Sequence, residues 1–366
     1  MKIYCATREF EKALNITSQA LAVRTTSQIL EGVLIEVDDG KMTLTGTDTN
    51  MTIETAIAVM GKERAAFVIP ARFVLSVISK ESEEEIMLEY DEIKGKMKIK
   101  TATSTADVAC LSADDFPKIK PSLDGEYISI EKEKIKRMID KTAFSANAGE
   151  TNAILSGILV KLKEGNFRMV ALDSFRMAIY NEHVESAGEF EAIIPATMLK
   201  TVARIIDKGD GEAKIYKGDN KIIIEIEDTK MILNTMNGNF LDYERIIDKE
   251  FKIKIRAERQ KLLNGIDKAT PFVSIKNNNL VKLSVEEDII DLSCVSDQGS
   301  MEEKIEIIKD GEDITIGFNA KYMMEALKVI EDEEILIFMN GRGKAGIIKP
   351  LKGDKYLYMI LPVMLK

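Results

Sequence analysis

The sequence predicts an α+β protein made of three copies of one module, each with two helices on one face of antiparallel sheets. Three observations carry that prediction. Strand-like and helical segments return with a period of about 125 residues along a chain of 366. Within each copy, apolar and polar residues alternate over short runs, the mark of half-buried strands. Between those runs lie stripes at helical spacing, such as Ile135, Met138, Ile139 and Thr142; Leu199, Val202, Ala203 and Ile206; and Met323, Met324, Leu327 and Ile330.

The elements can be taken in order. Ile3, Ile128 and Ile253 each sit in a short strand just ahead of a helix. A hairpin follows. In the first copy it runs from Gly32 to Val37, through a polar turn, then from Met42 to Asp48. In the second it runs from Gly157 to Leu162, then from Phe167 to Asp173. In the third it is Val281 to Val285 and Ile290 to Val295, with Asp297 one place later than the aspartates of the other two. The run Phe67-Val68-Ile69-Pro70-Ala71 reappears as Ala192-Ile193-Ile194-Pro195-Ala196, and as Ile316-Gly317-Phe318-Asn319-Ala320 without the proline. Proline at the first turn suits a helix start, where its missing N–H is no loss. The period is far too long for a solenoid. It divides the chain into modules of residues 1–125, 126–249 and 250–366, with divisions near Gly125 and Lys249.

Composition excludes several classes. At 45% hydrophobic and 31% charged residues, the chain can fill real cores and is neither disordered nor fibrous. No run of about 18 apolar residues is present, so no membrane span is expected. The N-terminus lacks the apolar core of a signal peptide, and a cytoplasmic location is expected. Cys5, Cys110 and Cys294 are far apart, giving neither a disulfide framework nor a zinc site. With His183 as its one histidine, the chain has few routes to acid–base catalysis or metal binding.

The charge is unevenly spread. The chain carries −10. Six helical windows, residues 8–22, 71–80, 131–144, 196–208, 256–269 and 320–330, carry 0, +2, +2, +2, +2 and +1. That leaves −19 for the rest. Lys134, Arg137 and Lys141 share one helix face, as do Lys200, Arg204 and Lys208, and Lys321 and Lys328. One such face is ordinary solvated surface. A positive excess on five of six helices in an acidic protein points to a shared basic surface for a polyanion.

Several segments resemble the bacterial sliding clamp family, the β subunit of DNA polymerase III. They are Leu155-Ser156-Gly157 with Ala171 to Ala178, Asn239 to Ile246, Phe318 to Tyr322, Ile360 to Leu365, and Asp114-Asp115-Phe116-Pro117. Together they extend over the whole length. The resemblance implies a DNA-clamp fold: a head-to-tail homodimer closed into a ring, helices on the inner face and antiparallel sheets on the outer. It implies loose, sequence-independent contact with double-stranded DNA near Arg24, Arg72, Arg204, Asn319 and Tyr322. It also implies a pocket for short peptides of partner proteins between the second and third domains. Its lining would be Leu155, Leu172, Ser174, Phe175, Arg176, Met177, Leu241, Ile246, Tyr322, Met359, Ile360, Leu361, Pro362, Val363 and Met364. The family commonly has Thr-Asp-Gly-His-Arg-Leu where this chain has Leu172 to Met177, Pro at Leu241 and Arg at Met364, so this pocket is the more apolar. The dimer contact would involve an edge strand around Ala106, Val108 and Cys110, and Phe272-Val273. Implied partners are the polymerase III α subunit, an ATP-driven clamp loader and other proteins carrying the peptide motif. No catalysis, cofactor or metal is implied, and polymerisation would belong to the partner.

Two signals point elsewhere. Gly341-Arg342-Gly343-Lys344-Ala345-Gly346 is a literal GxGxxG, but strand-like Ile347-Ile348 and Pro350 follow it, so no helix start faces a pyrophosphate and a hairpin turn is expected. His183 lies in a polar stretch and is expected in an exposed loop. Two other classes compete with the clamp reading. A scaffold using the pocket without DNA predicts no dimer closure. An enzyme with a carboxylate pair predicts a pH-dependent activity lost on mutating two acids.

Overall fold

In the computed structural model, the described residues are all except 23, 118, 120–126, 148, 150, 151, 187 and 366. The expected division at Gly125 therefore lies outside them.

The period is visible in the element order. The first copy has β1 (Lys2–Ala6), α1 (Thr7–Ser18), β2 (Val33–Asp38), β3 (Lys41–Thr47), β4 (Met51–Ala58), β5 (Ala65–Ile69), α2 (Ala71–Ile78), β6 (Glu85–Asp91), β7 (Lys96–Lys100), β8 (Thr105–Ala109) and a short β9 (Leu111–Ser112). The second has β10 (Tyr127–Glu131), α3 (Lys132–Thr142), β11 (Gly157–Lys163), β12 (Asn166–Leu172), β13 (Arg176–His183), β14 (Phe190–Pro195), α4 (Ala196–Ile205), β15 (Glu212–Lys217), β16 (Lys221–Ile226) and β17 (Thr229–Asn234). The third has β18 (Ile253–Glu258), α5 (Arg259–Ala269), β19 (Leu280–Glu286), β20 (Ile289–Ser296), β21 (Gly299–Gly311), β22 (Ile314–Asn319), α6 (Ala320–Val329), β23 (Glu334–Met339), β24 (Gly346–Pro350) and β25 (Tyr356–Ile360).

Contacts divide the chain into two compact units. One holds Met1–Glu133 and Arg204–Thr235; the other holds Lys134–Ala203 and Met236–Lys366. In the first unit, a sheet of order β1-β6-β7-β8 stands beside one of order β10-β15-β16-β17-β4-β3-β2-β5-β9. Helix α1 packs on β3, β4 and α2, burying Phe10, Ala13, Leu14 and Thr17. In the second unit, one sheet runs β14-β11-β12-β13-β25-β24-β23-β18-β21-β20-β19-β22, and α5 packs on α6, β18, β20 and β21.

Local chemistry explains the hairpins. Asp39 and Gly40 (φ 42° and 78°) close β2–β3, and Glu164 and Gly165 (φ 50° and 72°) close β11–β12. Two successive left-handed residues give the turn whose twist matches the strands it joins. The periodic aspartates also have a shared task. Asp48 Oδ1 accepts the N–H groups of Asn50 (2.9 Å) and Met51 (2.7 Å), and Asp173 Oδ1 accepts those of Phe175 (2.8 Å) and Arg176 (3.0 Å). Each turns the chain into the next strand. In the third copy that acceptor is Ser296, 3.3 Å from the Gln298 nitrogen, and not Asp297.

Some expectations need correction. Residues 256–258 are the end of β18, because Ile255 and Ala257 keep alternating into the core and Glu258 pairs with Glu334. The other helices are shorter than their windows; α1 ends at Ser18, where the Ser18 hydroxyl donates back to the Leu14 carbonyl. At the observed bounds the helices carry 0, +1, +3, +2, +2 and +1, so the positive bias stands. Part of it is neutralised at once. Lys12 and Lys132 reach Asp207 (3.5 and 2.8 Å), Arg137 and Lys141 reach Glu331 (3.9 and 3.3 Å), and Lys268 reaches Glu303 (2.8 Å). His183 is exposed, but it closes β13 and is not in a loop. The GxGxxG segment is the β23–β24 hairpin connection, as expected from its flanks.

Gly46 marks the tightest approach of helix to sheet in the first copy: a Cβ there would lie 2.2 Å from the Thr17 carbonyl oxygen of α1. Backbone cannot yield as a flexible side-chain tip can. Gly46→Ala is expected to cost about 2–4 kcal/mol in urea unfolding, with α1 forced off the sheet.

Candidate functional site

Every residue proposed for the peptide pocket belongs to the second compact unit. Its frame is the pairing of β13 with β25, which sets Arg176 opposite Ile360 and Met177 opposite Met359. The Asp173 turn delivers the chain into β13, leaving Ser174 and Phe175 at the surface. Beyond β25 the C-terminal tail is pinned twice: the Leu361 N–H donates to the Phe175 carbonyl and the Val363 N–H to the Gly317 carbonyl, both at 2.8 Å. Gly317 is needed there, since a Cβ would meet the Val363 oxygen at 2.7 Å and Leu280 Cδ1 at 2.6 Å.

The structure sorts the pocket residues into floor and rim. Leu172, Met177 and Met359 are buried in one cluster with Tyr243, with Leu155 half-buried against it, and Ile360 is buried as well. Phe175 (53% exposed), Leu241, Ile246, Leu361 and Met364 (77%) stand open to solvent. Large apolar side chains left in water around an apolar floor mark an interaction site. Pro362 and Val363 are half-buried.

Arg176 fastens this floor to α6. Its guanidinium donates to Asp173 Oδ2 (3.1 Å), to the Phe144 carbonyl (2.7 Å) and to Glu325, and it lies 4.1 Å from the Tyr322 ring centroid. Phe175 stacks on the other partner of that contact, with ring centroids of Phe175 and Tyr322 6.2 Å apart. The Tyr358 hydroxyl donates to the Tyr322 carbonyl at 3.0 Å. Burial pushes the Asp173 carboxyl above its ordinary range, although Arg176 and two backbone N–H groups pull the other way. The contacts of Glu325 and Tyr358 with this cluster were not legible in advance. The available signal was Glu325 lying one helical turn beyond Tyr322 on the same face.

The residues proposed for DNA contact are placed separately. Arg24 follows α1, Arg72 opens α2 and Arg204 closes α4; all three are exposed. Asn319 is the N-cap of α6, its side-chain oxygen accepting the Tyr322 N–H at 3.2 Å, which leaves its amide NH2 for other work. Tyr322 is half-buried, with its ring stacked on that of Phe175. For the dimer contact, β8 is the last strand of its sheet, with Ala106 half-buried, Val108 buried, and Cys110 just beyond. Phe272 and Val273 follow α5, and Phe272 lies beside Gly299 at the start of β21. Among the described residues, no cluster of three His, Cys, Asp or Glu could hold a metal, and no helix is long and apolar enough to cross a membrane.

Three like modules, with exposed large apolar side chains around a buried apolar floor, have the features of a protein that acts through an interaction surface. Comparison with known proteins specifies which. Sequence models of the DNA polymerase III beta subunit match in register: the N-terminal domain over residues 1–120, the central domain over 129–242 and the C-terminal domain over 244–364. A beta sliding clamp of Staphylococcus aureus is 28% identical over 365 residues, 97% of each chain. The crystal structure of the Bacillus subtilis DNA polymerase sliding clamp superposes with a TM-score of 0.96 at 25% identity, and that of the Thermotoga maritima DNA polymerase III β subunit with 0.92 at 26%, each covering 100% of both chains. The chain belongs to the DNA polymerase III β-subunit family, the sliding clamps, and has their three-domain fold.

Removing the Arg176 guanidinium would strand Asp173 and Glu325. Arg176→Met is expected to lose about 3 kcal/mol near neutral pH. Asp173 already has a raised pKa in the folded state. A raised carboxyl costs stability above its folded pKa, and that cost disappears below its unfolded pKa of about 4. The deficit should therefore shrink as pH falls towards that value in urea titrations. A pH-independent deficit would mean that packing, not charge, was lost.

Proposed function

We propose that two copies of this chain close head to tail into a ring around duplex DNA and tether a polymerase and other partners through the pocket. The observation that carries the reading is a repeated seam. The last strand of the second copy, β17, pairs with β4 of the first, setting Leu233 opposite Met51. The last strand of the third, β25, pairs with β13 of the second in the corresponding way. One seam of this kind is left open. Its halves are β8 of the first copy, at the end of its sheet, and residues 299–306 of β21, which among the described residues pair with β20 alone. A second copy supplies the missing partner for each, and the same exchange at the other end closes the assembly. In this reading residues 1–125, 126–249 and 250–366 are the three domains, and Phe272 and Val273 flank the junction.

The helices supply the DNA-facing cations, Arg24, Arg72 and Arg204 among them, with Asn319 and Tyr322 nearby. Few, exposed and phosphate-directed contacts allow sliding, which tight base readout would stop. A partner held by its peptide cannot diffuse away, so its return to the primer end becomes intramolecular. Polymerisation is the work of that partner, the polymerase III α subunit. A clamp loader opens the ring, and the setting is the cytoplasm.

The protein loaded on nicked circular DNA is expected to stay bound through gel filtration and to be lost when the DNA is linearised. Equal retention on both forms would refute encirclement. Met364→Asp, or deletion of residues 362–366, is expected to lower partner-peptide affinity by at least about tenfold in a binding titration while the dimer persists. Unchanged affinity would remove the tail from the site.

A further inference from the structure

A groove of about 610 Å3 lies next to the pocket, between the tail residues Val363 to Leu365 and the exposed face of β19 and β20. One wall is apolar: Met364 and Val295 are 77% and 72% exposed. The other is basic. Lys282 projects from β19, and Lys276 reaches in from the turn that ends in the left-handed pair Asn278 and Asn279 (φ 53° and 49°).

Several strand lysines of the molecule are paired with a carboxylate on the neighbouring strand. Lys161 pairs across the sheet with Glu191, Lys214 with Glu225, Lys230 with Glu54 and Lys304 with Asp291. Lys282 instead faces Ser293 on one side and Gly317 on the other. Among the described residues neither Lys276 nor Lys282 has an ion-pair partner. In a chain of net charge −10, two uncompensated cations on one groove form a local anion-binding surface. The groove also shares Val363 and Met364 with the docking pocket, so a peptide leaving the pocket along the tail runs into it.

We propose that this groove takes an acidic segment flanking the docking motif of a partner protein, its carboxylates on Lys276 and Lys282 and its stem against Val295 and Met364. The proposal rests on the pocket reading above and adds a second, electrostatic contact to it. A nucleic-acid strand is the poorer occupant: two cations match few phosphates, and the facing wall is apolar.

The test is fluorescence anisotropy on the full chain with three labelled peptides: Gln-Leu-Ser-Leu-Phe, a Gln- and Leu/Phe-bearing core suited to an apolar pocket with a few polar groups, and the same peptide extended at its N- or its C-terminus by Gly-Asp-Glu-Asp. At about 50 mM salt one extended peptide should bind about 3- to 10-fold tighter than the core peptide. The gain should vanish at about 500 mM salt and in the Lys276→Ala/Lys282→Ala variant, and the core peptide should bind that variant as it binds the unaltered protein. Neither extension binding tighter, or a gain that survives the double substitution, would overturn the proposal. Failure of the core peptide to bind the unaltered protein would instead refute the pocket reading, and this inference with it.

Discussion

Backbone pairing at the edges of sheets is the constraint on which the rest of this structure depends. A strand edge offers a row of N–H and C=O groups that must meet another strand, water or a cover. Here the same two edges recur in each copy, and inside the chain they satisfy one another: β17 with β4, and β25 with β13. The Thr55 and Thr229 hydroxyls, 2.8 Å apart, lock the first of these seams further. Sheets thus continue from one copy to the next, and the candidate site is built on one such seam. The β13–β25 seam brings the Asp173 turn and the C-terminal tail together, although they lie far apart in sequence.

The fold was largely legible because its signals are local and repeated. Alternation revealed the strands, stripes at helical spacing revealed the helices, and the common period tied them into copies. Helix ends were less legible. Residues 256–258 carry charges that suit either state, and only their pairing with β23 decides for strand. The aspartates at positions 48 and 173 stood out by spacing; the substitution of Ser296 for that role did not, because a hydroxyl and a carboxylate can close the same turn.

For the residues proposed as the pocket, the sequence does not separate floor from rim. Leu172, Met177, Met359 and Ile360 form buried floor, whereas Phe175, Leu241 and Met364 are open rim. Nothing in an apolar residue's identity separates the two, since burial is set by strands distant in sequence. The charge pattern shows the same limit. Lys132 looks like one more helical cation, yet it is buried against Asp207, 75 residues away. Counting charges along helices therefore finds the sign of a surface and overstates its strength. The departures at Phe175, Leu241 and Met364 enlarge the apolar rim, and Lys276 and Lys282 place positive charge beside the tail.

In the proposed ring the seam within the chain is also the seam between chains. Carrying the β17–β4 register onto β8 and β21 sets Ala106 opposite Met301 of a second copy. The direct measurement is oxidative cross-linking of an Ala106→Cys/Met301→Cys chain in which Cys5, Cys110 and Cys294 have been replaced. A head-to-tail ring gives a disulfide-linked species of twice 40.9 kDa, with neither single variant cross-linking. A chain that stays monomeric under oxidation, or that links only within itself, would contradict it.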